Sequence, residues 1–258
     1  MDFVLLCDII NIVIFIYIVT KKGGNIIMKW LKRIILVILV IILVVIGIVL
    51  ANGYGLYRDV IKEKSIEDKV EEIRNDEDFV ALSSLPEKYK QAVIAVEDHR
   101  YEEHGAIDLI AIGRAIWVNV SNFELREGGS TITQQVAKNM YFIGNNENPI
   151  NRKIAEIFVA FDLESKYSKD DILELCVNTI YFGDGYYGIK EACNGYLDKE
   201  PQDMTLYEAT MMAGIPNAPS VYAPTVNPEL TKSRQQKVID SMVEYGYLTQ
   251  EEADSIHE

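Results

Sequence analysis

Histidine, cysteine and positive charge are scarce in this chain, and each scarcity removes a class of function. Its three histidines, His99, His104 and His257, form no HExxH pair, which argues against a zinc enzyme. Its three cysteines, Cys7, Cys176 and Cys193, form no CxxC, so no redox dithiol or obvious disulfide framework is encoded. A Cys176–Cys193 bridge stays open, but two buried thiols are the expectation. No GK[ST] closes a glycine-rich loop, so a nucleotide-phosphate loop is not indicated. Acidic residues outnumber basic ones by 39 to 25, which argues against a nucleic-acid partner. Alternating strand patterns are rare and no internal repeat occurs, so the chain reads as mainly α.

One apolar run stands out against this background. Ile34 to Ala51 (IILVILVIILVVIGIVLA) carries no charge and comes close to the ~20 residues that a membrane-spanning helix needs. It has no polar face, so a buried core helix is the poorer reading. A second run, Phe3 to Val19, is interrupted by Asp8 and Asn11. Residues 1–27 are either an extra membrane segment or lie upstream of a true start at Met28, where MKWLKR opens a natural signal-anchor. The second reading is preferred. Both give one topology, because Lys21, Lys22, Lys29, Lys32 and Arg33 precede the strong span and mark the cytoplasmic side. The expected layout is a cytoplasmic segment at 1–33, an anchor at 34–51, a charged stalk at 52–82 and an exported domain at 83–258. Residues 34–258 hold 20 basic and 37 acidic residues, a net charge of −17, so a cluster of cations there runs against the average.

Helix signals dominate the exported part. Pro86 opens a helix whose Tyr89, Ala92, Val93 and Val96 share a face. Ser168-x-x-Asp171, Thr205-x-x-Glu208 and Thr249-x-x-Glu252 have or approach capping-box spacing. Gly214 and Gly246 are plausible helix stops.

Three segments look unlike ordinary helix surface. In VEDHRYEEHGAID, residues 96–108, Glu97 and Asp98 fall at a helix end whose dipole disfavours negative charge. By itself such a pair is usually a solvated turn, but Val96 and Tyr101 flank it. In GGSTITQQVAKNM, residues 128–140, two glycines free the backbone and Ser130 or Thr131 can cap the next helix. Thr131, Gln135 and Lys138 share a polar stripe there, a setting that suits a bound phosphate as well as it suits a plain amphipathic helix. In NRKIAEIFVAFDLE, residues 151–164, Asn151 can cap a helix that is apolar nearly all round. Glu156 then becomes a buried carboxylate with Arg152 one turn away. That is either a structural ion pair or a functional site.

In this order the segments resemble glycosyltransferase family 51, the peptidoglycan glycosyltransferases. The EDxxFxxHxGxD motif appears as Glu97, Asp98, Tyr101, His104 and Asp108, and GGSTITQQxxKN runs from Gly128 to Asn139. RKxxE is Arg152, Lys153 and Glu156. A fourth motif is met by Ile172, Leu173, Glu174, Asn178, Tyr181, Gly183 and the Gly188-Ile189 pair. A fifth runs from Ala213 and Gly214 through Pro216 to Ser220, Tyr222 and Pro224. The match covers roughly residues 85–245. Departures are small: Tyr101 stands for Phe, Ala106 follows Gly105 where the motif has glycine, and Cys176-Val177 replaces Tyr-Leu.

The resemblance implies a lysozyme-like, two-lobed glycosyltransferase domain behind its membrane helix, with residues 117–127 (WVNVSNFELRE) in the small lobe. It implies a bacterial cytoplasmic-membrane enzyme, single-pass, with the catalytic domain outside. The substrate is lipid II, joined to a growing lipid-linked strand by a β-1,4 bond with inversion and release of polyprenyl pyrophosphate. Membrane lipid and other cell-wall synthesis proteins are the further partners. Glu97 maps to the base, with Asp98 positioning it and Glu156 orienting the acceptor. Lys138, Arg152 and Lys153 would hold the pyrophosphate, and Thr131, Gln135, Ser130, Asn139 and His104 complete the substrate contacts. No cofactor is required, although a divalent cation (Mg or Mn) is compatible with the family. The chain ends at Glu258 without SxxK or KTG, so a monofunctional form is expected. The rivals are a lytic glycan hydrolase, which has no use for a pyrophosphate-binding set, and a non-catalytic scaffold, which would be expected to have lost a charged motif position.

Overall fold

A computed structural model describes residues 25–122, 128–144 and 147–257. The second apolar run at 3–19 and Phe123 lie outside the described residues. Helix α1, Asn25–Glu63, contains the anchor and extends past both ends of it. The chain divides into two compact units, Met1–Gly53 and Tyr54–Glu258. In the first, large apolar side chains such as Leu36, Ile41 and Leu43 are half exposed or more. By length and composition this helix is able to cross a membrane.

The second unit is mainly helical. Its elements are α2 (Ile66–Arg74), α3 (Glu87–Glu97), α4 (Leu109–Asn122), α5 (Ile132–Tyr141), α6 (Pro149–Lys166) and α7 (Lys169–Thr179). A short antiparallel hairpin follows, β1 (Tyr181–Gly183) with β2 (Tyr186–Tyr187). The chain continues through α8 (Gly188–Leu197), α9 (Leu206–Gly214), α10 (Pro219–Tyr222), α11 (Pro228–Glu244) and α12 (Gln250–Asp254). Two helix groups frame the site. In one, α3, α9 and α11 pack on each other; in the other, α5 packs on α6 and α7.

Local sequence sets most helix boundaries. All three expected capping boxes form, at Ser168/Asp171, Thr205/Glu208 and Thr249/Glu252. Gly246 ends α11 in the left-handed region, at φ +77°. Cys176 and Cys193 are buried free thiols. Two local readings change. Asn148, rather than Asn151, caps α6, because Pro149 at the first helical position fixes the start three residues earlier. That helix also has an exposed apolar side, since Phe161 is 49% exposed while Val159, Ala160 and Leu163 are buried.

Residues 52–82 are not a separate stalk. Ile66, Val70, Val80 and Leu82 are buried members of the same core as α5 and α7. Asn178 holds the segment by accepting from the Val80 amide at 2.8 Å and donating to the Val80 carbonyl at 2.9 Å. Glu174 accepts from the Leu82 amide at 2.9 Å and pairs with Arg74 at 3.2 Å. The charged and amide residues of the fourth motif thus pin the domain's first strand of chain. At the far end of the motif, Gly188 sits at φ +77°, where a Cβ would stand 2.8 Å from the Asn178 carbonyl oxygen. Only glycine meets both demands.

Candidate active site

The ends of α3 and α5, the first turns of α6 and the chain after α7 enclose a cleft of about 370 Å³. Glu97, Gln135, Lys138, Lys153 and Glu156 line it, together with Ser130, Asn139, Tyr181 and Asn217. Glu97 is the last residue of α3. Its Oε2 accepts a hydrogen bond from Gln135 Nε2 at 2.7 Å. Its Oε1 is buried, has no hydrogen-bond partner, and lies 3.7 Å from Arg234 Nη2. Burial pushes the Glu97 carboxyl above the usual carboxylate range, and the Gln135 bond and the Arg234 charge only partly offset it.

Across the cleft, Glu156 is 3% exposed and sits between two cations. Its Oε1 lies 3.4 Å from Arg152 Nε, and its Oε2 lies 3.1 Å from Lys153 Nζ. The carboxylate is therefore shared, not paired with Arg152 alone. Lys153 also donates to Ser130 Oγ at 2.9 Å, which links the glycine-rich segment to α6. Lys138 is exposed at the cleft edge and Lys153 is half exposed, so both ammonium groups can reach a ligand.

Two expected substrate contacts, His104 and Thr131, lie behind the cleft wall instead, together with Asp98, the residue expected to position Glu97. Asp98 is buried, with Oδ1 at 2.7 Å from His104 Nε2 and Oδ2 accepting from the Ile132 amide at 3.0 Å. His104 Nδ1 donates to the Gly105 carbonyl at 2.6 Å, so both ring nitrogens are engaged within the protein. Thr131 is 2% exposed; its hydroxyl caps α5 through the Gln134 amide and donates to the Ala106 carbonyl at 3.0 Å. The anion at the N-terminus of α5 is thus Asp98 itself. Lys138 and Lys153 line the cleft, whereas Arg152 stands beside Glu156 and is not among the lining residues. Of the two glycines before α5, Gly129 serves closeness, since a Cβ there would lie 3.3 Å from the Ile112 backbone, while a Cβ on Gly128 would meet nothing within 4 Å.

Among the described residues, Asp98, His104 and Asp108 place one ligand atom each within 4.8 Å of one another. They fit a metal poorly: both oxygens of Asp98 and both nitrogens of His104 are already bonded, and Arg100 Nε lies 3.5 Å from Asp108 Oδ2. Asp108 Oδ1 is spent on the first amides of α4, at Ile110 and Ala111. The cluster ties two helix starts together.

Residues 63–243 match the family model described as Transglycosylase. The chain belongs to the transglycosylase family. This transglycosylase is 41% identical over 174 residues to penicillin-binding protein 1F of Bacillus subtilis (strain 168), covering 67% of its own length and 24% of that protein. It is 43% identical over 177 residues to penicillin-binding protein 1A of Neisseria flavescens, covering 69% and 22%. A crystal structure of penicillin-binding protein 1A from Haemophilus influenzae superposes over 69% of this chain and 17% of that one, with TM-score 0.41 and 21% identity. The chain spans about a quarter of the length of the curated relatives it matches.

Arg234 is the transglycosylase residue that sequence reading missed. A signal for it exists: it falls on the buried stripe of α11 formed by Thr231, Gln235, Val238 and Met242, where a charge is out of place. What it meets there is not legible from α11 alone.

Proposed function

We propose that this chain polymerises lipid II into peptidoglycan glycan strands at the outer face of the bacterial cytoplasmic membrane. The observation that carries the reading is one cleft holding a desolvated Glu97, with a hydrogen-bond-free oxygen, together with Lys138, Lys153 and the Glu156 carboxylate. A base for a sugar hydroxyl and cations for a departing pyrophosphate are what this transfer needs.

The 4-hydroxyl of the acceptor sugar attacks the anomeric carbon of the lipid-linked donor, and its proton passes to the Glu97 carboxylate. The new C1–O4 bond forms as the bond from C1 to the pyrophosphate oxygen breaks. The electron pair leaves with the pyrophosphate, which Lys138, Lys153 and Arg152 neutralise. Attack from the face opposite the leaving group turns the α-linked donor into a β-1,4 product. Gln135 fixes the Glu97 rotamer, and Glu156 keeps Arg152 and Lys153 in place between turnovers. The basic residues ahead of the apolar helix support an outward-facing domain.

The test is incubation of detergent-solubilised protein with labelled lipid II, with Glu97→Gln alongside. Lysozyme-sensitive, high-molecular-weight polymer from the wild type but not from the variant is the expected result. Absence of polymer from the wild type, where a known family member makes it, overturns the reading.

A further inference from the structure

We infer that Arg234 is a positioning residue for the base: its guanidinium holds the Glu97 carboxylate charged without hydrogen-bonding to it. The inference rests on the reading of Glu97 as the base and adds what keeps that base usable.

The geometry is specific. Glu97 Oε2 is occupied by Gln135, and Oε1 is buried within the protein. That oxygen accepts no hydrogen bond, yet Arg234 Nη2 stands 3.7 Å from it. A bidentate pair would cover both lone pairs and bind the carboxylate too tightly to take up a proton. At 3.7 Å the charge acts on Oε1 without forming a hydrogen bond to it.

The fold spends three features on bringing the arginine there. Its side chain is 13% exposed, so it is held within the domain and not displayed on the surface. Its Nε donates to the Gly214 carbonyl at 3.3 Å, and its guanidinium lies 5.8 Å from the centre of the Tyr222 ring. Its stem passes over Gly214, where a Cβ would stand 3.0 Å from Arg234 Cγ. The glycine that ends α9 is therefore also the gap through which α11 reaches α3.

The remaining groups around Glu97 do not substitute for it. Gln135 on α5 is neutral, Asp98 next in the chain repels, and the Cys176 thiol on α7 is pushed up to about 12 and stays uncharged. Lys138, Lys153 and Glu156 line the same cleft, but the two lysines, with Arg152, are assigned to the leaving group.

The experiment is the pH dependence of kcat/KM for polymer formation in the wild type, Arg234→Gln and Arg234→Lys, with a thermal melt of each. Removing a positive charge favours the neutral acid, so the acid limb should move up by about one pH unit in Arg234→Gln. Activity below the limb should then fall about tenfold and recover at higher pH. Arg234→Lys keeps the charge and should move the limb less. A limb that stays in place in both variants, whatever the drop in rate, overturns the inference and leaves the polymerase reading standing. Wild-type protein that makes no polymer at any pH sinks the polymerase reading instead.

Discussion

Gln135 Nε2 donates to Glu97 Oε2 at 2.7 Å, joining the end of one helix to the middle of another across 38 residues of sequence. This contact decides which carboxylate oxygen is hydrogen-bonded. Because the bond favours the charged form, its loss should raise the Glu97 pKa and release the rotamer together. Gln135→Ala is expected to lower kcat by about 10- to 100-fold, with a smaller change in KM. Steady-state kinetics on labelled lipid II would check it; an unchanged kcat would show that Gln135 does not orient the base.

The pH dependence has a definite sign. Burial raises the Glu97 pKa, and the base works only when deprotonated, so activity is lost as pH falls through a value above the ordinary carboxylate range. The acid limb of kcat/KM should therefore lie above ~4.3, the unperturbed value for Glu. A limb at or below that value would mean that Glu97 is not the group being titrated.

Glu156 has two cationic partners, so removing one is not the same as removing both. Arg152→Ala alone should leave the fold nearly intact, because Lys153 still faces the carboxylate. The double change Arg152→Ala/Lys153→Ala strands a buried charge and should cost about 3 kcal/mol, seen as a lower denaturation midpoint. Additive small losses would argue that the cations do not share one carboxylate. Polymerisation should fall in the single variant regardless of its stability.

His104 and Lys138 separate structure from chemistry. His104→Ala breaks the chain from the Gly105 carbonyl through Asp98 to the first amide of α5, so stability and activity should fall together. Lys138→Ala, at the exposed cleft edge, should lose activity with its melting temperature unchanged. An unaltered melt for His104→Ala would return that side chain to the substrate.

Gly188→Ala should destabilise by about 2 kcal/mol or more. The alanine would need a left-handed backbone, and its methyl would meet the Asn178 carbonyl at 2.8 Å. Chemical denaturation of the two proteins side by side measures the difference; equal midpoints would mean that the hairpin end can shift freely.

The sequence by itself determined the features whose physics is local. The apolar run from Ile34 to Ala51 needs no context to read as a spanning helix. Ser168, Thr205 and Thr249 meet their caps within four residues, and five ordered motifs place the chain in its family. Tertiary structure decided what each polar side chain faces. A helical wheel puts Thr131, Gln135 and Lys138 on one stripe, but Asp98 and the Ala106 carbonyl cover only its first turn, so Thr131 is sealed and the other two stay open. The motif pairs Glu97 with Asp98, yet a helix end turns successive side chains apart, sending one to the cleft and the other to α5. Residues 52–82 look like a charged stalk because they lack a strong period; the core of α5 and α7 gives Ile66, Val70, Val80 and Leu82 a place. The Arg234 stem passes close over Gly214 on its way to Glu97, and no spacing within α11 records that approach.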